Sequence, residues 1–420
     1  MSEIYFYKGQ KNVLADKSDE EAKEEIQKEL LQVFDVKNLS FLFGAGCSSH
    51  VRDDGTEQGI PVMAPMAKEY YATLEPKNKT YLQKTIKINI EHSNYKTNLE
   101  KFLEVLFSYK YLMECRKNEK ELKKVQALIQ KTKDFIFEKC TNRHDSVITI
   151  YEQFYKKLVY RDKNLTKTNI FTTNYDLFNE RALDQLGIIF SNGFSGVINR
   201  YFNPAVFNYA FAEQMDLSNN KWNVIDNFIY LYKLHGSISW IEDESTKHLF
   251  KIKELQKPVK DDKNVMIYPT PVKQNASFGS PYSDLFREFQ KKLMISNNIL
   301  ITVGYSFSDE HINNLIYQAL TIPAFRLIIV GSLKKYKDEN KEEFYNNNIK
   351  KLYDLNDPRI WIIGETERWE DGKLKTPIHF FNRFVNEMLP SIDQENIEKS
   401  VQKVLDNLFA QQEQVPSDDS

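Results

Sequence analysis

Apolar positions along the chain fall into two rhythms. Over residues 19–34, DEEAKEEIQKELLQVF, the residues Ala22, Ile26, Leu30 and Val33 recur at helical spacing behind an acidic first turn, which predicts an amphipathic helix. Further along, short apolar runs with few charges recur at long intervals: LSFLFG (39–44), NIFTTN (169–174), FIYLYKLHG (228–236), NVMIYP (264–269), NILITVG (298–304), FRLIIVG (325–331) and RIWIIG (359–364). Such unalternated, β-branched runs read as strands buried on both faces of a parallel sheet. Several end on Gly, Asn or His at what would be the C-terminal end of the strand, the edge where open α/β sheets bind ligands. Helical patterns lie between them, SDLFREFQKKLMI after 282 and DEHINNLIYQAL from 309, so the alternation is β-α-β.

One interval breaks the alternation. Residues 63–165 contain no convincing strand, while the stretch from Asn98 to Cys140 keeps a helical period for roughly ten turns, which predicts a helical insertion between the first and second strands. The chain therefore divides into a leading segment with one helix (1–37), an α/β domain carrying the insertion (38–390), and a C-terminal segment (391–420) with a possible helix at 394–410 and a polar tail expected to be disordered. No repeat at a fixed period is present.

Composition narrows the function classes. Charges nearly cancel, 57 Lys+Arg against 59 Asp+Glu, so no global field points to nucleic acid or an acidic membrane, and no direct sequence-specific nucleic-acid binding is expected. The three cysteines, Cys47, Cys115 and Cys140, are too far apart for a disulfide framework or a thiolate zinc site. The N-terminus turns acidic too early for a secretory leader, and no apolar run approaches the roughly 18 residues of a membrane span, so the expected location is the cytoplasm.

Candidate chemistry gathers at the predicted strand ends. In FLFGAGCSSH the strand meets Gly44-Ala45-Gly46, which permits a tight turn and lets backbone N–H groups approach an oxyanion with no Cβ in the way. A helix starting near Cys47 or Ser48 would add its positive end, worth about half a unit charge. Glycine also serves packing at a strand-to-helix corner, so a phosphate cradle and a plain corner both fit. In FTTNYD, 171–176, a helix cap accounts for Asp176 but not for Asn174 as well. In KLHGS, 233–237, His235 stands at a strand end before Gly236, a place suited to a general base, although isolated histidines more often fill surface or core. The other histidines, His50, His92, His144, His248, His311 and His379, show no metal-ligand spacing. In VGYSFSDEHINNLI, 303–316, Ser308 or Asp309 can cap the next helix, while Gly304 and Ser306 can meet a phosphate or ribose. Gly331 and Ser332 repeat the strand-Gly-Ser ending.

The ordered series G-A-G-x-S at 44–48, G-I-P at 59–61, T-x-N-x-D at 172–176, K-L-H-G at 233–236 and V-G-Y-S-F-S-D at 303–309 resembles the Sir2 family, specifically the Sir2-like NAD-hydrolase domains of bacterial antiphage defence systems, over about residues 38–335. The resemblance implies an α/β fold: a Rossmann-like, DHS-like NAD-binding parallel sheet flanked by helices, with a helical insertion and no zinc ribbon. It implies that Gly44, Ala45, Gly46 and Ser48 hold the NAD+ pyrophosphate, with Thr173 in the cofactor-binding set. Asn174 and Asp176 would surround the nicotinamide ribose, and His235 would be the catalytic histidine. Gly304 and Ser306 correspond to positions that bind a phosphate and the adenosine ribose, and Gly331 and Ser332 to the adenine side. No role falls to Cys47.

Two departures matter. Gly59-Ile60-Pro61 continues with Val62-Met63 rather than D-F-R, and three scattered cysteines cannot build the four-cysteine zinc ribbon of sirtuin deacylases. Both argue against acyl-lysine as substrate. The implied activity is hydrolysis of NAD+ to nicotinamide and ADP-ribose, controlled by homo-oligomerisation or by a partner such as a HerA-type ATPase. Two alternatives stay open at this level: an NAD- or ADP-ribose-binding regulatory module without turnover, and ADP-ribosyl or deacyl transfer. The insertion and C-terminal helix are either contact surfaces or simply cover the sheet.

Overall fold

In a computed structural model of the chain, residues 3–51, 56–159, 161–162, 164–216, 221–260, 264–266, 280–336, 343–366, 368–370 and 373–390 are described. The possible helix at 394–410 lies outside them. Most of the predicted apolar runs assemble into one sheet. Its strands are β1 (Ile4–Lys8), β2 (Asn38–Phe43), β3 (Asn169–Thr172), β4 (Ile189–Ser191), β5 (Phe228–Lys233), β6 (Asn298–Val303), β7 (Arg326–Val330) and β8 (Ile360–Glu365). With the short strand Lys11–Asn12 at one edge, the order across the sheet is Lys11–Asn12, β1, β8, β7, β6, β2, β3, β5, β4. From β8 to β4 every pairing is parallel, and only β1 and the edge strand run antiparallel.

Both faces of this sheet are covered, which is why its strands lack polar alternation. Leu39, Phe41 and Phe43 of β2 enter one core layer and Leu42 the other; Ile299, Ile301 and Val303 of β6 oppose Leu300 in the same way. The first layer is built by α1 (Asp19–Phe34) and by the insertion, whose main helices are α2 (Met63–Ala72), α3 (Leu99–Cys115), α4 (Glu119–Thr141) and α5 (Asp145–Val159). Helix α6 (Phe178–Leu186) joins it through Phe178, Ala182 and Leu183. The second layer holds α7 (Tyr282–Leu293) and α8 (Glu310–Leu320), together with a five-stranded antiparallel sheet that contributes Phe194, Phe202, Trp240 and Ile252.

Local chemistry sets the boundaries. Ser18 and Glu21 form a reciprocal capping box at the start of α1, and Ala22, Ile26, Leu30 and Val33 are its buried face. The long helical stretch breaks into α3 and α4 where Lys117 adopts φ +52° and the Asn118 side chain accepts from Glu121 N–H. Tyr70, Phe102, Val125, Leu128, Tyr151 and Phe154 all enter the first core layer, so the insertion covers the sheet. One expected strand is misassigned: Asn264–Met266 pairs antiparallel with Gly236–Glu242 in the smaller sheet, not with the parallel strands. So short a segment satisfies either environment, and its pairing with Gly236–Glu242 decides.

The N-terminal helix is tied to the last described turn by charge. Burial pushes the Glu387 carboxyl up, but the Arg383 guanidinium (2.5 Å) and the Lys23 ammonium (2.6 Å) outweigh it and bring it down to about 2. A carboxyl depressed from 4.5 stabilises the fold above its unfolded value and loses that contribution as pH falls toward 2. In denaturant titrations Glu387→Gln should cost about 2 kcal/mol at pH 7 and flatten the acid dependence between about pH 5 and 2. An unchanged acid slope would contradict the assignment.

Candidate functional site

The chain lays β3 and β5 down on one side of β2 and then crosses to build β6, β7 and β8 on the other. Such a switch point is where open α/β sheets bind ligands, outside the C-terminal ends of the strands. The register aligns Phe43, Thr172, Lys233 and Val303, so Gly44, Thr173, Leu234 and Gly304 leave the sheet at one edge.

Here the Gly-Ala-Gly turn meets the loop after β6 backbone to backbone. Gly44 N–H donates to Val303 O and Gly46 N–H to Gly304 O, both at 3.0 Å. A Cβ at Gly44 would stand 2.4 Å from Gly304 O, one at Gly46 2.9 Å from Gly304 Cα, and one at Gly304, where φ is +61°, 2.8 Å from Cys47 N. The packing use of these glycines is therefore real. The helix expected near Cys47 or Ser48 does not form: one 3₁₀ turn, Ala45–Cys47, leads straight into a hairpin of Ser49–Val51 with Glu57–Gly59. No helix dipole serves this turn. With the Gly44 and Gly46 N–H groups spent, the Ala45 N–H is left without a partner among the described residues.

Beneath the turn lies a buried polar chain. Asn174 Nδ2 donates to Gly44 O and to Ser48 Oγ, each at 2.9 Å, and Ser48 Oγ donates to Asp176 Oδ2 at 2.6 Å. Asp176 Oδ1 accepts from Phe178 N–H at 3.1 Å, starting α6 as a cap would. Because Gly44 O can only accept, the amide orientation of Asn174 is dictated, and its Oδ1 stays without a hydrogen-bond partner among the described residues. The Ser48 hydroxyl is engaged on both sides and linked into this chain. Thr173 is held by its N–H on Phe43 O, continuing the ladder at the edge.

Sequence reasoning passed over Lys233. It is 1 % exposed, and its ammonium donates to Asp176 O, to Tyr175 O and to Glu180 Oε1, the last at 2.9 Å. Burial pushes the Glu180 carboxyl up and the Lys233 ammonium pulls it back. Lys233 thus clamps the main chain of the loop that carries Asn174 and Asp176. The signal was legible: a lysine inside FIYLYKLHG, an otherwise apolar strand, must be paired when buried.

His235 follows β5 at the turn made by Gly236, whose φ is +87°. It is 9 % exposed, its ring lies 6.5 Å from that of Tyr175, and its Nε2 sits 3.0 Å from Asp309 Oδ2, off the line of a hydrogen bond. Asp309 also caps α8, Oδ1 accepting from His311 and Ile312 N–H. Ser306 shares the exposed loop after Gly304, its hydroxyl 2.9 Å from that of Ser308. Gly331 and Ser332 end β7, one strand further out: Gly331 O accepts from Tyr5 OH, and Ser332 Oγ donates to Lys334 O. Cys47 is fully buried with Sγ on Val303 O, and burial, aided by the Asp176 charge, holds its thiol well above the usual range. It is no thiolate nucleophile. Among the described residues no group of three or more His, Cys, Asp or Glu could hold a metal ion, and no helix is long and apolar enough to cross a membrane. A cavity lined by Arg161, Thr166, Lys167, Asp226 and Phe228 lies at the opposite, N-terminal edge of the strands and touches none of the residues above.

The parallel sheet and the helices on its two faces define a Rossmann-like α/β protein. Residues 168–350 match the family model described as a SIR2-like domain, a stretch that holds Asn174, Asp176, His235, Gly304, Ser306, Gly331 and Ser332. Among solved structures, a mutant Sir2 homologue in complex with ADP-ribose matches at 13% identity and a TM-score of 0.31, covering 79% of this chain and 95% of that one. No curated protein matches.

The glycine contact gives a direct test. Gly44→Ala forces its Cβ against the backbone of Gly304 and Tyr305, so the two loops must separate. Denaturant unfolding should report a loss of about 1–3 kcal/mol, the usual cost of overpacking. Wild-type stability in this variant would show that the loops do not meet.

Proposed function

We propose that the chain hydrolyses NAD+ at the nicotinamide–ribose bond, releasing nicotinamide and ADP-ribose. The observation that carries this reading is the hydrogen-bonded set of Asn174, Ser48, Asp176 and Gly44 at the switch point, with His235 buried beside its loop. The SIR2-like match across residues 168–350 supports it.

The reaction passes through an oxocarbenium-like sugar, as in glycoside hydrolysis. Nicotinamide leaves a cationic pyridinium as a neutral molecule, so no acid is required. The site must hold the ribose, favour the developing cation and activate water. Asn174, its amide pinned by Gly44 and Ser48, offers Oδ1 to a ribose hydroxyl or water without reorienting during the reaction. His235 accepts a proton from a ribose hydroxyl or water. Lys233 is paired with Glu180, and the carboxylates of Asp176 and Asp309 beyond that pair favour the cationic sugar. Ser48 and Asp176 act through Asn174. The Gly44-Ala45-Gly46 turn receives the pyrophosphate through its Ala45 N–H, beside Thr173; Gly304 and Ser306 serve a phosphate and the adenosine ribose, and Gly331 and Ser332 the adenine side.

The same reading extends to the biological role: depletion of cytoplasmic NAD+ in antiphage defence, restrained until assembly or a partner such as a HerA-type ATPase releases it. Purified protein, alone and with its partner, should consume NAD+ and yield nicotinamide and ADP-ribose by chromatography. Asn174→Ala and His235→Ala should each lower turnover by at least about 10²-fold with the fold intact by circular dichroism. Retained turnover in either variant would overturn the proposal, and NAD+ binding without turnover under every condition would select the binding module.

A further inference from the structure

We propose that Asp309 is a positioning residue for His235: its carboxylate fixes the imidazole hydrogen on Nε2 and leaves Nδ1 as the proton acceptor. The proposal rests on the reading of His235 as the general base of the preceding section.

The contact is not one that neighbouring strands make by default. His235 follows β5 and Asp309 follows β6, and the sheet order places β2 and β3 between them, three strand spacings or about 14 Å. The two residues meet because the segment Gly304–Ser308 crosses the strand ends before α8 begins. That segment is braced. Asn313 Nδ2 donates to Phe307 O at 2.8 Å, Tyr305 OH donates to Asn313 Oδ1 at 2.9 Å, and Phe307 holds φ +54°. The carboxylate is fixed as well, since Oδ1 accepts from His311 N–H at 2.9 Å and Ile312 N–H at 3.2 Å.

Capping needs only one oxygen, and Asn or Ser would supply it equally well. The cap uses Oδ1, and the second oxygen, Oδ2, lies 3.0 Å from a buried imidazole nitrogen that has no aligned hydrogen-bond partner. A neutral imidazole carries one N–H and one lone pair, and a carboxylate only accepts. Nε2 beside Asp309 is therefore the protonated nitrogen, and a modest rotation of the ring completes the bond. Nδ1 makes no hydrogen bond among the described residues and keeps its lone pair. When Nδ1 takes up a proton, the imidazolium forms against a carboxylate already in place. A helix of the second core layer thus delivers the orienting charge across the strand ends to His235.

The cap makes a clean experiment possible. Asp309→Asn keeps the capping oxygen but turns an amide N–H₂ toward Nε2, which converts that nitrogen into an acceptor and moves the ring hydrogen to Nδ1. Asp309→Ser caps with its hydroxyl and cannot reach the ring. Long-range ¹H–¹⁵N correlation spectra of histidine-labelled protein, assigned with His235→Ala, should show the Nε2–H tautomer in the wild type and its loss in Asp309→Asn. Melting temperature should stay within about 2 °C, since the cap is kept. NAD+ turnover should fall by about 10²-fold or more in kcat in both variants, with KM changed by less than about threefold, because the defect lies in proton transfer. An unchanged tautomer in Asp309→Asn, or kcat retained or raised in either variant, would overturn the proposal. If the wild type turns over no NAD+, the functional reading fails by itself, and the tautomer measurement still decides the role of Asp309.

Discussion

Two loops touch through their backbones at the centre of this protein, and the rest of the site is arranged around that contact. Gly44 and Gly46 lie against Gly304 so closely that no Cβ fits at any of the three positions. The close approach joins β2 to β6 where the sheet changes winding direction, and it turns Gly44 O toward the Asn174 amide. Gly44 O fixes the orientation of Asn174, Asn174 binds Ser48, and Ser48 binds Asp176, so a geometric constraint on three glycines becomes the orientation of a carboxamide. The three glycines are packing residues whose close approach also sets the Asn174 amide.

Electrostatics supply the second level of order. Lys233 is buried where an unpaired ammonium would be costly, and it is satisfied by two carbonyls of the Asn174–Asp176 loop and by Glu180. From the other side of the strand ends, Asp309 brings a carboxylate to His235 at the start of α8. The Asn174–Asp176 loop is held from below by β5, and His235 is met from across the sheet by the start of α8. Cys47, central in the turn, is only filler: its thiol points into the core and binds a strand carbonyl.

Long apolar runs made the parallel strands legible, because burial on both faces removes the alternation that would otherwise hide them. The strand ends were legible for the same reason, which is why Asn174, His235 and Gly304 arise at one edge. Other features had no local signature. Strand β1 is antiparallel and short, and only its pairing with β8 makes it part of the sheet. The missing helix after Gly46 depends on a hairpin partner ten residues away, Glu57–Gly59, which no pattern within GAGCSSH reveals. Asp309 read as a cap and is one; that its second oxygen also comes within 3.0 Å of His235 Nε2 shows only once α8 is placed across the strand ends from β5. Lys233 was the one support that burial reasoning could have found, since a charge inside an apolar strand demands a partner.

The central claim is that the edge defined by Gly44, Asn174, His235 and Gly304 binds the ADP-ribose portion of NAD+. Hydrogen–deuterium exchange of the full chain with and without ADP-ribose tests this most directly, because it reports binding whether or not turnover occurs. The account predicts slowed exchange in peptides spanning 44–48, 173–176 and 304–309, with none around Arg161–Thr168. Protection confined to the opposite edge, or absent everywhere at saturating ADP-ribose, would contradict it.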